Sequence, residues 1–299
     1  MTEPSEATPR NLSLQVGGFD LMAREYGPPD GSPVLALHGW MDHADSFAPL
    51  APHLAGCRVV ALDLPGHGLT EMGGKGHWFH YIDNVPLVFQ TLTVLGWDRC
   101  HLIGHSMGGG LGALLAATFP ERFASFVSID MLGPISGPEN HVVQQLRKGV
   151  LDRSGGLKQR YFATYDEALA ARENEHFPLA LCRVLGERGI VETDRGYTWL
   201  GDRRLKWSSL QRYTEAQVRE ILAAIECPVL VLLAEQHRYP QMVQLLKKRE
   251  GICPQETVIT APGGHHLHME HPQICAEHIL AFYAGLEESG SIAEEANLS

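Results

Sequence analysis

The chain lacks any apolar run long enough to span a bilayer, so no transmembrane helix is expected. Met1–Arg10 (MTEPSEATPR) is polar and contains proline, and it has none of the apolar stretch of a secretory signal. Basic residues are scarce. Lys and Arg number 24 against 35 acids, a formal net charge of −11. A surface of that sign repels phosphate backbones, so no nucleic-acid partner is expected. The basic run Lys247-Lys248-Arg249 is short and reads as a solvated helix face. C-x-x-C pairs are missing. The six cysteines (57, 100, 182, 227, 253 and 275) are scattered, the usage of buried thiols in a reducing cytoplasm. Internal repeats and low-complexity segments are also missing. What remains is 299 residues with 44% hydrophobic content, ample for one large core with room for an insertion.

Short apolar runs alternate with helical patterns along most of the chain. Leu12–Val16 and Phe19–Arg24, joined by Gly17-Gly18, read as an antiparallel hairpin. Val34–Leu37, Val59–Leu62, Cys100–Ile103, Phe126–Ile129, Val229–Leu233 and Thr257–Thr260 are apolar on both faces. Parallel strands covered by helices on both sides have that composition. Helical patterns at Asn84–Leu95, Gly109–Phe119 and Gln273–Leu286 fall between or after them. The expected architecture is a doubly wound α/β sheet.

About a hundred residues separate Asp130 from Val229, far more than a crossover needs. Helical patterns there cover Glu139–Asp152, Asp166–Glu175, Pro178–Glu187 and Glu215–Ile225, with a capping box at Thr214 and Gln217 and a hairpin candidate in Ile190–Leu205. The expected organisation is a core of residues 11–133 and 225–287, a helical cap of 134–224 over the sheet's carboxyl edge, and disordered tails at 1–10 and 288–299.

The chemistry concentrates in Gly104-His105-Ser106-Met107-Gly108, a G-x-S-x-G stretch entered from an apolar run and followed by a helical one. A serine hydroxyl becomes a nucleophile when a tight strand-to-helix turn exposes it beside a base and an anion pocket. Gly104 and Gly108 flank Ser106 because side chains there would crowd the turn. At the end of an earlier strand, His38-Gly39-Trp40-Met41-Asp42 can turn a backbone N–H toward the serine. The amides of Trp40 and Met107 are the expected oxyanion hole. Asp63-Leu64-Pro65-Gly66-His67-Gly68 reads as a turn that shapes the floor of the site. Near the C-terminal end, Gly263-Gly264-His265-His266-Leu267-His268-Met269-Glu270-His271 follows the last strand, and His265 is the candidate general base. Four histidines in seven residues also suit a metal. No matching distant ligand is evident, so a base with structural neighbours is expected and no metal.

With these residues placed, the chain resembles the α/β-hydrolase superfamily over about Leu12–Leu286. The motifs HGW, DLPGHG, GHSMGG, FPERF and GGHHLHMEHP occur in order. The run HGWMDHADSF and the doubled His265-His266 resemble the serine hydrolase-like proteins most closely. The resemblance implies a mostly parallel eight-stranded sheet with a cap inserted after strand six, Ser106 as nucleophile and His265 as base. It also implies an acid after a later strand. Where many relatives carry Asp after strand seven, this chain has His237. Some relatives place the acid after strand six, where Asp130 stands. Asp130 is the expected acid, Glu235 the alternative, and a site with no functional acid the third outcome. The implied activity is cleavage of a small carboxylic ester or related acyl bond through an acyl-enzyme, with no cofactor or metal. The alternative is a catalytically weak or inactive ligand-binding protein on the same scaffold. The expected partner is a small-molecule ester or acyl substrate, with no membrane partner. Residues roofing the serine are expected among Tyr161, Phe162, Tyr165, Phe177, Tyr197, Trp199 and Trp207, joined by Trp78, Phe79 and Tyr81. The sequence carries no reading of oligomeric state.

Overall fold

The computed structural model describes residues 8–73, 79–236 and 240–288, so Trp78, His237 and most of both expected tails lie outside it. Eight strands form one sheet: β1 (Arg10–Val16), β2 (Phe19–Tyr26), β3 (Ser32–Leu37), β4 (Cys57–Leu62), β5 (Cys100–His105), β6 (Phe123–Ile129), β9 (Val229–Ala234) and β10 (Glu256–Ala261). Two more, β7 (Ile190–Thr193) and β8 (Gly196–Trp199), form a separate hairpin. The sheet order is β1-β2-β4-β3-β5-β6-β9-β10, and β2 alone runs against the others. The expected first hairpin turns at Gly17 and Gly18, both at positive φ (56° and 83°), as a two-residue turn of that hand requires. It begins at Arg10, inside the tail expected at 1–10. The Arg10 side chain pairs with Glu25 across the strands at 2.8 Å.

The α-helices are α1 (Asn84–Leu95), α2 (Met107–Thr118), α3 (Val142–Ser154), α4 (Tyr165–Ala170), α5 (Leu179–Gly189), α6 (Glu215–Ala223), α7 (Pro240–Arg249), α8 (Leu267–Glu270) and α9 (Pro272–Glu288). Alternation along the strands divides the core between the two faces of the sheet. Leu35 and Leu37 of β3 join Leu87 and Leu92 of α1 and Leu111 of α2. Val34 and Ala36 point the other way, to Phe47, Leu50 and Ile279 of α9. All six cysteines are buried and unpaired. Among the described residues, no helix is long and apolar enough to cross a membrane.

The segment between β6 and β9 holds α3 to α6 and the β7–β8 hairpin. It has its own apolar cluster, built around Leu169, Phe177, Leu181, Leu185 and Ile190, against which Phe162, Tyr165, Tyr197 and Trp199 pack. Its last helix is different: Val218 and Leu222 of α6 belong to the sheet's core. The capping box at Thr214 and Gln217 is present. Helix α4 ends at Ala170 rather than at Glu175. A turn bridging Asn174 and Phe177 follows and leaves Arg172 outside the helix.

Arg249, expected on a solvated face, is fully buried. Its Nη1 donates to the carbonyls of Leu132 (2.6 Å) and Pro134 (2.9 Å), and its Nε and Nη2 donate to the Glu215 carboxylate (3.0 and 2.8 Å). The chain leaves the sheet layer at 132–134 and returns along α6. One guanidinium fork satisfies both ends at once, which a lysine's point charge cannot do.

Candidate active site

The order β4-β3-β5 means the chain winds one way from β3 to β4 and the other way from β5 onward. Crevices in open α/β sheets form at such a switch point, outside the carboxyl ends of the strands. Here those ends deliver His38–Asp42 after β3 and Ser106 after β5, side by side. Ser106 has φ 50° and ψ −111°, a backbone region costing of order 1–3 kcal/mol for a residue with a side chain. The surroundings enforce it. A Cβ on Gly104 would lie 2.3 Å from the Gly108 carbonyl oxygen, and one on Gly108 would lie 2.0 Å from that of Leu37. Asp130, at the end of β6, has φ 53°.

These two turns and the loop after β10 bring three side chains together. His265 Nε2 lies 2.9 Å from Ser106 Oγ, and His265 Nδ1 lies 2.6 Å from Asp130 Oδ2. Asp130 is fully buried, and its other oxygen accepts the Ala234 N–H at 3.0 Å. The carboxylate therefore also ties the last residue of β9 to the end of β6, the structural role open to a strand-end acid. Glu235 is exposed, and its backbone N–H bonds to Ala261 O. The Asp130 contact fixes His265 with its proton on Nδ1 and a lone pair on Nε2 facing the serine hydroxyl.

Met107 is the first residue of α2, so its N–H has no acceptor within the helix and forms part of the positive end of the helix dipole. Trp40 lies at the head of the neighbouring loop. Its side chain is half exposed rather than packed in the core, and its indole N–H donates to Leu205 O at 3.0 Å. Neither backbone amide has a hydrogen-bond acceptor among the described residues. Tyr81 donates to Met107 O at 3.3 Å, and Phe177 meets the His266 ring edge-on at 4.6 Å.

A second network, not foreseen in its connections, adjoins the first. Asp42 Oδ2 accepts His266 Nε2–H at 3.1 Å. Its Oδ1 takes Arg172 Nη2 at 2.5 Å, and Arg172 Nη1 donates to Met41 O at 3.0 Å. His105 donates from Nε2 to the backbone carbonyl of His265 at 2.8 Å, and its Nδ1 stands 3.6 Å from Asp42 Oδ2. Burial alone would raise the Asp42 carboxyl. The charge of His266, hydrogen bonding with His105 and His266, and Arg172 reverse this and hold it well below the usual range. Burial pushes the His105 imidazole down to about 4 and that of His268 well below its ordinary value. Asp63 is a parallel case. It is fully buried and accepts the Ala44 and Leu69 amides, and it takes both arms of Arg188 at 3.0 and 2.6 Å. Burial would raise it, yet the Arg188 hydrogen bonds and charge, with the two amides, leave it below the ordinary range.

The histidine-rich loop has no matching distant ligand evident along the sequence. The structure supplies two: Asp42, His105 and His266 offer ligand atoms within 4.8 Å of one another. Their residue types suit a first-row cation. However, the Asp42 charge is already neutralised by Arg172, so a divalent ion there would leave a buried site with excess positive charge.

The profile of the alpha/beta hydrolase fold matches residues 32–272, and the chain belongs to that family. Among its members it stands close to the serine hydrolase-like proteins. One from Danio rerio is 28% identical over 277 residues, covering 88% of this chain and 85% of the relative. A probable serine hydrolase of Drosophila melanogaster is 29% identical over 298 residues, covering 91% and 86%. Among solved structures, a hypothetical protein of Pseudomonas aeruginosa PAO1 superposes with a TM-score of 0.84 at 36% identity, covering 94% of this chain and 99% of that one.

Proposed function

We propose that the protein is a serine hydrolase that cleaves a small carboxylic ester or related acyl bond through an acyl-enzyme, with Ser106 as nucleophile, His265 as base and Asp130 as the acid. The observation that carries this is the continuous hydrogen-bonded chain from Ser106 Oγ through both nitrogens of His265 to Asp130. Ser106 Oγ attacks the carbonyl carbon while its proton passes to His265 Nε2. The imidazolium that forms keeps its Nδ1 proton on Asp130, whose buried charge stabilises it. Negative charge on the carbonyl oxygen falls to the amides of Trp40 and Met107. His265 then protonates the leaving alcohol, and water, deprotonated by the same nitrogen, releases the acid and restores Ser106. Asp130 stands here in preference to Glu235, whose side chain is exposed.

In the same reading, residues 134–224 act as a cap. Helix α6 roots it on the sheet layer, and Arg172 and Arg188 hold it to the loops after β3 and β4. Asp42 is then a positioning residue, joining the cap to the loop that carries the base. Carboxylesterase-like cleavage of a substrate with modest apolar groups follows from the aromatic residues of the cap. The names of the relatives, serine hydrolase-like and probable serine hydrolase, agree with it. The test is covalent labelling by a fluorophosphonate, followed by release of nitrophenol from a series of acyl esters. The expected result is labelling of wild type and none of Ser106→Ala; equal labelling of both ends the proposal.

A further inference from the structure

Helix α3 is mounted inside out. A surface helix normally turns its apolar stripe to the core. Here Gly149 is its one buried residue, and a Cβ there would come 2.7 Å from Leu210. Apart from this approach of Leu210 to Gly149, α3 is held to the loop at 208–210 by polar contacts. Gln145 donates to Ser209 O and Lys148 to Ser208 Oγ. Arg153 donates to Ser208 O at 2.9 Å, and Asp152 accepts the Ser208 N–H at 2.9 Å. The apolar residues Val142, Val143, Leu146, Val150 and Leu151 face outward, with exposures from 46% (Val150) to 75% (Val143). An apolar surface left open on this scale marks a place of contact.

Its surroundings say with what. Between 139 and 160 five Lys or Arg stand against two acids, and between 201 and 212 four stand against one, while elsewhere acids predominate. The two segments are joined through Ser208 and through Arg203, which donates to Leu157 O. Arg147, Lys148, Lys158, Lys206 and Arg212 are exposed around the apolar stripe. A symmetric dimer through this face would set like charge against like. An anionic lipid surface accepts both features: the stripe enters the headgroup boundary and the basic rim meets the phosphates.

We propose that this face of α3, with the 201–212 loop, docks the protein on anionic lipid surfaces. Among the described residues no helix can span a membrane, but a helix lying in the headgroup layer needs only one apolar face. The inference does not depend on the chemistry assigned to Ser106. The 201–212 loop also receives the Trp40 indole at Leu205, so the docking face belongs to the layer that touches the candidate site.

The test is co-sedimentation of the full chain with phosphatidylcholine vesicles, plain or carrying about a third phosphatidylglycerol. Wild type is expected to bind the anionic vesicles about tenfold or more tightly than the plain ones, and to release them in about 1 M NaCl. Combined Val143→Ser, Leu146→Gln and Val150→Ser should lower that binding about tenfold, and combined Arg147→Gln and Lys158→Gln several-fold. All five positions are exposed, so circular dichroism and turnover of a soluble ester should not change. Absence of wild-type binding to anionic vesicles overturns the proposal, as does equal binding by the apolar variant. A solution dimer that the apolar variant dissociates assigns the face to a second copy and likewise overturns it.

Discussion

The carboxyl edge of the sheet and the layer above it are held by different means. At the edge, backbone geometry does the placing. Ser106 and Asp130 sit in left-handed turns, and Gly104 and Gly108 leave no room for an alternative. The segment between β6 and β9, the proposed cap, is tied down by charge: Arg172 to Asp42, Arg188 to Asp63, and Arg249 to Glu215. Steric enforcement spreads over many atoms and is indifferent to salt. A clasp made by one guanidinium is lost with one side chain. The reacting groups should therefore stay in register under changes that release the cap.

The largest expected effect falls on the edge. Ser106→Ala should lower kcat by about a millionfold while leaving the melting temperature about unchanged, since alanine keeps the Cβ and the backbone of the turn. Asp130→Asn should cost about ten-thousand-fold in kcat, because an amide cannot hold the base in the required tautomer. Glu235→Gln should stay within about twofold. A comparable loss in Glu235→Gln would undo the assignment of the acid.

Next come the clasps. Arg188→Met leaves the Asp63 carboxylate buried and uncompensated, an expected loss of about 3–5 kcal/mol in urea titration. If ester turnover falls as steeply as stability, the two regions are not separable in the way described. Asp42→Asn should lower kcat/KM about tenfold by loosening both the cap and the His265 loop, with Ser106 labelling retained. A change in KM alone would confine Asp42 to the cap.

A further expected effect is one of pH. Burial lowers His67 to about 3 and His101 and His105 to about 4. Unfolded imidazoles titrate near 6.5, so below about that pH the unfolded chain binds more protons and stability falls with acid. Each group contributes a slope of up to about 1.4 kcal/mol per pH unit until the folded form titrates near 4. Asp42 and Asp63, both depressed, stay charged throughout that window and lose their contribution only below the ordinary carboxylate value, about 3.9. Acid between about 6.5 and 4 should thus weaken the sheet layers before the clasps, readable as falling melting temperature while Arg188→Met keeps its full deficit.

The edge was legible in the sequence and the clasps were not, for a physical reason. Strands, the Gly17-Gly18 turn and the Ser106 elbow are specified by neighbours within a few residues, through side-chain periodicity and forbidden backbone space. His265 and Asp130 were reachable because each ends a recognisable strand or follows one. Arg172 finds Asp42 across 130 residues of chain, and Arg188 finds Asp63 across 125. No local pattern separates an arginine that will be buried from one that will be solvated, and Arg249 in a run of basic residues shows the failure most plainly. The apolar period of α3 was equally visible as a helix, but which way it would face was decided by Ser208 and Ser209, far along the chain.

Trp40 spans the two regions. In the proposed mechanism its backbone N–H is offered to the developing anion, while its indole donates to the Leu205 carbonyl. Lifting the roof to let product out would slacken the residue that grips negative charge. Such a catalyst would be idle whenever its door stands ajar, and stray water reaching an open site would meet a serine without its electrostatic partner. Emission from that indole, if isolated from the other tryptophans, would then count openings and turnovers on the same clock.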